Sequence, residues 1–363
     1  MIPIAKPIIG KREKELVNEA LDSGMLAQGP KVKELEQKFA ELCGVKHAVA
    51  VNSGTAALHC CTYATGIKQG DEVITVPFTF VATVNPIIMQ NAKPVFADVK
   101  EDTFNIDPDS VLEKITPKTK AIIAVDLYGQ VFDYKAIKEI CEDHNLKLIE
   151  DACQAVNASL DGKKAGTFGD MAAFSFYATK NMISGEGGMI TTDDAELAEL
   201  AKRFRHHGQS ETRYEYYDLG YNYRMMDLQA AIALGQIEKI DDYTDKRISN
   251  AKKLTEGLKD IDGIEVPLIK PGAKHVFHQY TIKVKDHKLT RGELITYLKK
   301  NEIGCGIYYP KPLHMHQHFM KLGYKEGDFS VSEKLSKEVI SLPVHPAVSD
   351  EDINKIIEVI QNA

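Results

Sequence analysis

From Lys31 to about Thr192, short apolar runs rich in β-branched residues alternate with amphipathic helical patterns, and this alternation most narrows the folds open to the chain. The runs His47 to Val51, Glu72 to Val76, Pro94 to Val99, Ala121 to Val125 and Leu146 to Glu150 read as strands, with stretches such as Tyr134 to His144 between them as helices. Several of the strands are almost continuously apolar, AIIAV and LKLI among them, so both faces of their sheet must be covered. Strands that alternate with helices join through parallel crossovers. The expectation is a layered α/β domain with a mainly parallel sheet, to which Asp170 to Phe176 and Met189 to Thr192 add further strands.

The pattern changes at Asp227, where DLQAAIALGQIEKIDDYTDKRISNAKKLTEGLKD reads as a long helical run leaving this domain. Beyond it the elements are shorter and mixed: strands at His278 to Val284 and Gly304 to Tyr308, helices near Arg291 to Lys300 and Asp350 to Ile360. A chain of 363 residues exceeds one small core. The simplest division is a large α/β domain with an N-terminal arm over residues 1–244 and a small α+β domain over residues 245–363. There is no internal repeat.

Composition removes several function classes. A net charge of -7 without a basic stripe argues against a nucleic-acid partner. No apolar run approaches the roughly 18 residues that span a bilayer, and Met1 to Arg12 lacks the apolar core of a secretion signal, so no membrane partner and a cytoplasmic location are expected. Six scattered cysteines without a CxxC pair read as reduced, packed thiols.

Three segments carry possible chemistry. Asn52-Ser53-Gly54-Thr55-Ala56-Ala57-Leu58 follows the strand HAVAV and opens a helix, whose free N–H groups and dipole suit a phosphate, with Gly54 permitting close approach. Taken alone, it is equally well an ordinary helix cap. Glu150-Asp151-Ala152-Cys153-Gln154 closes the strand LKLI, and in open α/β sheets ligands bind at the carboxyl ends of strands. A carboxylate there stays charged beside a cationic partner, such as a protonated pyridine nitrogen, or else simply caps a helix. Lys180 follows the apolar run Phe174-Ser175-Phe176 and precedes Gly185-Glu186-Gly187-Gly188, so it can be desolvated and made nucleophilic for Schiff-base chemistry. Most lysines are merely solvated; the conjunction of anion site, strand-end Asp and strand-end Lys is what gives this one weight.

Those motifs extend into a wider match. The stretches LAQGPKVKELEQKFA, VNSGTAALH, GDEVITVPFTFVAT, PVFADV, IEDACQA, AFSFYATKNMISGEGGMI, GYNYRMMDLQAAIAL, YYPKPLH and SLPVHP resemble the DegT/DnrJ/EryC1/StrS family of sugar aminotransferases, of the fold-type I pyridoxal-phosphate (PLP) superfamily, along nearly the whole chain. The resemblance implies that Lys180 carries PLP as a Schiff base and that Asp151 pairs with the pyridinium nitrogen, preserving the electron sink. It implies Gln154 near the ring, Phe80 stacked on its face, and a phosphate held by Gly54, Thr55, Ala56 and Ser175. Asn222 in GYNYR would reach the phosphate in a neighbouring subunit, making a homodimer with shared sites. The implied reaction moves an amino group, with L-glutamate as donor, onto a nucleotide-linked keto sugar.

Two positions bear on this. Relatives that are sugar dehydratases carry histidine where this chain has Lys180, which favours transamination. Asp126 in VDLYG stands where many relatives have histidine, and no role is assigned to it. A dehydratase of the same family and a PLP-sensing regulator remain as alternatives. His314-Met315-His316-Gln317-His318 has ligand-like spacing, but no carboxylate or cysteine lies near it in sequence and no metal is expected. Tyr309 is a candidate for substrate contact. Arg203 to Tyr217 could meet a nucleotide diphosphate or form an interface loop.

Overall fold

The alternating segment folds into one sheet in the computed structural model, which describes residues 1–210, 212 and 214–363. Among the described residues the sheet has seven strands, in the spatial order His47–Val51, Gly188–Thr192, Met171–Ser175, Lys147–Asp151, Thr119–Val125, Glu72–Thr75, Lys93–Phe96. Neighbours from Met171–Ser175 to Lys93–Phe96 pair in parallel, and Gly188–Thr192 opposes the strands on both sides of it. The mainly parallel α/β sheet expected from the sequence is therefore present, with one reversed strand. Its buried faces are packed by helices including Pro30–Cys43 and Gly54–Ala64.

Local chemistry explains where elements begin and end. Helix Pro30–Cys43 starts with proline at its first turn and stops at Gly44, whose φ of 74° is a left-handed conformation that glycine adopts freely. The backbone N–H groups of Gly29, Lys31 and Val32 donate to the Asp227 carboxylate at 2.8, 3.1 and 3.0 Å, so a distant residue caps this helix. On its inner face Phe39 is fully buried, with ring centroids 4.9 Å from Phe174 and 5.4 Å from Phe176. Phe39→Ala is expected to cost about 3–5 kcal/mol through the lost burial and the cavity left behind, read as a lowered midpoint in urea unfolding.

Three expectations need correction. The strand from Pro94 ends at Phe96, because the Asp98 N–H turns to the Ser110 hydroxyl at 2.8 Å instead of a neighbouring strand. The long helix from Asp227 breaks into Asp227–Ile237 and Ile240–Leu258. Gln236 and Lys239, on either side of that break, both donate to Oε1 of the buried Glu13. Gly304 to Tyr308 is not a continuous strand: the Gly304 N–H goes to the Ile2 carbonyl, Gly306 pairs with Ser341, and the Tyr308 carbonyl is taken by the Tyr128 hydroxyl.

A second, antiparallel sheet orders Ile264–Glu265, Tyr280–Val284 and Val339–Leu342. Its own core includes Leu294 and Leu298 from helix Arg291–Lys300 and Ile353, Ile356 and Ile360 from helix Asp350–Gln361. Helix Ile240–Leu258 ties the two cores together, with Ile240 in the first and Ala251, Leu254 and Leu258 in the second. No helix among the described residues is long and apolar enough to cross a membrane.

Candidate active site

The carboxyl ends of the parallel strands meet at a cavity of about 660 Å³. Gly54, Thr55, Phe80, Asp151, Gln154, Ser175 and Lys180 all line it, although they are spread over more than a hundred residues of chain. Ala56 and Asn222 do not. The Ala56 N–H is used within the helix cap, donating to Ser53 Oγ at 3.1 Å. Asn222 is exposed, and its carbonyl accepts from Asn52 Nδ2 at 3.3 Å.

Helix Gly54–Ala64 opens toward the cavity with Ser53 as its cap. Glycine at 54 is a spatial requirement: a Cβ there would lie 2.8 Å from Ser175 Cβ and 3.1 Å from Cys153 Sγ. Backbone can thus come close to a bound anion where the N–H groups of a helix start are available.

Asp151 ends strand Lys147–Asp151 and is 4% exposed. Thr83 donates its hydroxyl to Oδ2 at 2.7 Å, and the Cys153 N–H reaches Oδ1 at 3.2 Å. Thr83 is in turn 3.0 Å from the Thr79 hydroxyl. The carboxylate is held from both sides before any ligand arrives. Gln154 is likewise fixed: its Oε1 accepts from the Tyr128 N–H at 3.0 Å, and its Nε2 lies 3.3 Å from the Tyr309 hydroxyl. Tyr128 has a left-handed φ of 59°, and in that conformation its N–H meets Gln154.

Lys180 sits on the turn after strand Met171–Ser175, its N–H bonded to the Tyr177 carbonyl at 2.8 Å. Burial pulls its amine below the usual lysine range, and Cys153 and Asp151 oppose that only in part. The next residue, Asn181, anchors the turn by donating to the Val276 carbonyl at 3.1 Å and lying 3.3 Å from His278 Nδ1. His278 is held well below the usual histidine range by burial, then by Lys180 and Arg247, so it is neutral. Burial, with a smaller contribution from Asp151, pushes the Cys153 thiol and the Tyr309 phenol up; both are protonated near neutral pH. Phe80 is 57% exposed at the cavity mouth, its ring 6.4 Å from Tyr309 at 29°.

Thr83 and His278 carry no signal in the sequence that singles them out. Thr83 lies in PFTFVAT, yet nothing in that stretch says that its hydroxyl meets a carboxylate 68 residues away. His278 comes from the far side of the chain's second helical region. Asp126, to which the sequence gives no role, is fully buried beneath the site: its N–H donates to the Asp151 carbonyl and its Oδ1 accepts from Phe132 N–H, both at 3.1 Å.

The alternating histidines do not converge. His314 is buried 2.9 Å from Glu333, a carboxylate the fold supplies, while His316 and His318 are exposed. Among the described residues no group of three or more potential ligands gathers. In the stretch Arg203 to Tyr217, Glu211 and Arg213 lie outside the described residues; Arg203 pairs with Asp218 at 3.2 Å.

With an anion cradle, a held carboxylate and a poised amine on one cavity, the residues present fit PLP: its phosphate, its ring nitrogen and its aldehyde each find a chemical counterpart. Comparison with known proteins agrees. The model of the DegT/DnrJ/EryC1/StrS aminotransferase family matches residues 7–361. The spore coat polysaccharide biosynthesis protein SpsC of Bacillus subtilis is 43% identical, the alignment covering 99% of this chain and 96% of that protein. A dTDP-3-amino-3,4,6-trideoxy-alpha-D-glucose transaminase of Micromonospora megalomicea subsp. nigra is 36% identical over 96% of this chain and 93% of its own. Among solved structures, the PLP form of a putative sugar aminotransferase from Streptococcus pneumoniae superposes with a TM-score of 0.94 at 28% identity, covering 99% of this chain and 98% of that one.

Proposed function

The chain belongs to the DegT/DnrJ/EryC1/StrS aminotransferase family, and on that footing we propose that it moves an amino group from L-glutamate to a nucleotide-linked keto sugar. It is an aminotransferase that uses PLP, as its family does. The observation that carries the reading is Lys180, an amine depressed by burial, on the same cavity wall as the pre-oriented Asp151. The nucleotide-sugar substrate is supported by the relative named as a dTDP-sugar transaminase.

PLP, when bound, supplies an electron sink that lets an amino acid release its α proton. The protein supplies the rest. Lys180 would hold the cofactor through its amine and, when free, would be the base that takes the donor's α proton and delivers it to the carbon on the other side of the donor's nitrogen. Burial lowers that amine's affinity for protons relative to an ordinary lysine. Asp151 holds a proton at the pyridine nitrogen, Phe80 covers the ring face and Gln154 orients it. Gly54, Thr55 and Ser175 would receive the phosphate, with Asn222 of a second subunit completing that cradle in a homodimer. In balance, L-glutamate and the keto sugar become 2-oxoglutarate and the amino sugar. The same reading divides the chain into a PLP-binding domain of residues 1–244 and a small domain of residues 245–363, and places it in the cytoplasm.

The test is incubation of the holoenzyme with L-glutamate and a panel of nucleotide-linked keto sugars, with products identified by mass and NMR. Equal yields of 2-oxoglutarate and an aminated sugar are expected. A dehydrated sugar without amination would mean a dehydratase, and cofactor binding without any transfer would mean a regulator.

A further inference from the structure

Two carboxyl groups, those of Asp126 and Glu150, are fully buried beneath the large cavity, and no step of amino transfer uses them. Ala124 pairs with Glu150 in the sheet, and Asp126, two residues on, brings its carboxyl into hydrogen-bonding contact with that of Glu150. Both Glu150 oxygens are already supplied: Oε1 accepts from the Gly166 N–H at 2.7 Å and Oε2 from the Phe168 N–H at 2.9 Å. Asp126 Oδ1 accepts from the Phe132 N–H at 3.1 Å. Asp126 Oδ2 alone meets no protein donor.

Two carboxylates in contact and out of water cannot both stay ionised. The donor census says where the proton belongs. Two backbone N–H groups favour a negative Glu150, while the fourth oxygen, Oδ2, lacks a donor and faces an acceptor. Burial, and then Glu150 itself, raise the Asp126 carboxyl well above the usual carboxylate range. The charged groups that act on the pair from other positions are Asp151 and Lys163; the Cys43 thiol beside Glu150 is pushed up by burial and stays neutral.

Asp126 also opens a turn that reaches the site. Its N–H donates to the Asp151 carbonyl at 3.1 Å, and its carbonyl accepts from the Gly129 N–H at 3.2 Å. Asn105 holds the far side, accepting from the Leu127 N–H at 3.0 Å and donating to the Gln130 carbonyl at 2.9 Å. Between these anchors lies Tyr128, whose N–H fixes Gln154.

We propose that Asp126 is a neutral carboxylic acid donating its Oδ2 proton to Glu150, and that this bond makes it a positioning residue, acting on Gln154 through the turn that carries Tyr128. The positioning half rests on the aminotransferase reading; the shared proton does not.

Asparagine is the closest neutral copy of the protonated acid, because its Oδ1 can accept from Phe132 and its Nδ2 can donate to Glu150. In the holoenzyme, Asp126→Ala should lower transamination by at least about ten-fold, the loss of one hydrogen bond to a charged group. Asp126→Asn should restore it to within about two-fold of the wild type. An asparagine variant as slow as the alanine one, or an alanine variant as fast as the wild type, would overturn the positioning role. Two readouts need no turnover. Infrared spectra at pH 7 should show the C=O stretch of a protonated carboxyl in the wild type and not in Asp126→Asn. In urea unfolding of the holoenzyme from pH 5 to 7, the folded wild type keeps a proton that its unfolded chain has lost, so its stability falls as pH rises. Its unfolding constant should therefore grow, relative to that of Asp126→Asn, by about ten-fold per pH unit. Parallel pH dependences, or no protonated-carboxyl band, sink the shared proton. Should neither variant fold, the band is read in Glu338→Gln, which removes the other carboxyl that burial holds up: a band that persists at pH 7 supports the proposal and its absence overturns it. If the wild type transfers no amino group at all, the aminotransferase reading falls and the positioning role with it, while the infrared band still decides the proton.

Discussion

Replacing Lys180 by alanine is expected to lower transamination by at least about 10⁴-fold, the upper range for loss of a positioned acid–base group. The size of the effect reflects three duties placed on one amine: anchoring the cofactor, leaving it, and moving the proton. Burial lowers the amine's proton affinity, and Asn181 pins the turn through Val276 and His278, so no neighbour can take over from the same position. The other lysines are of no help, since none of them borders the large cavity. The visible absorbance of lysine-bound cofactor should vanish from the variant, and turnover with L-glutamate and a keto sugar should be followed in parallel. A Lys180→Ala protein that still cycles amino groups would refute the assignment.

Asp151→Asn should be nearly as severe, with rates down roughly 10²- to 10³-fold, because breaking a buried pair leaves a charge uncompensated at a cost of about 3–5 kcal/mol. Asparagine keeps the shape and loses the charge that holds a proton on the pyridine nitrogen. It also places an amide N–H₂ against one of the two donors, the Thr83 hydroxyl or the Cys153 N–H, that now fix the carboxylate. Stopped-flow measurement of the glutamate half-reaction separates this from weaker cofactor binding, measured by titrating the apoprotein. A variant within about ten-fold of the wild-type rate would show that Asp151 has only a structural part.

Much of the framework was legible because it rests on local rules. Strand His47–Val51 and helix Arg291–Lys300 fall on the expected residues, since continuous apolar runs and a Thr-x-x-Glu cap leave few alternatives. Lys180, Asp151 and the Ser53-Gly54 turn could be named because each directly follows an apolar strand, and strand ends are where an open α/β sheet binds. Elements governed by partners far along the chain were misread. Gly304 to Tyr308 has strand composition, but Tyr128 captures the Tyr308 carbonyl. The helix from Asp227 shows unbroken periodicity, yet Glu13 draws Gln236 and Lys239 together across a break.

Sequence alone determined the order of strands and helices, the layered α/β class, and which residue types stand at strand ends, because periodicity and capping act over a few residues. The tertiary structure decided what surrounds those residues: Thr83 and Cys153 on Asp151, Tyr128 on Gln154, and a cavity that desolvates Lys180. Burial and hydrogen-bond geometry arise only when distant segments pack. They turn a lysine indistinguishable by its letter from many others into one whose proton affinity is lowered.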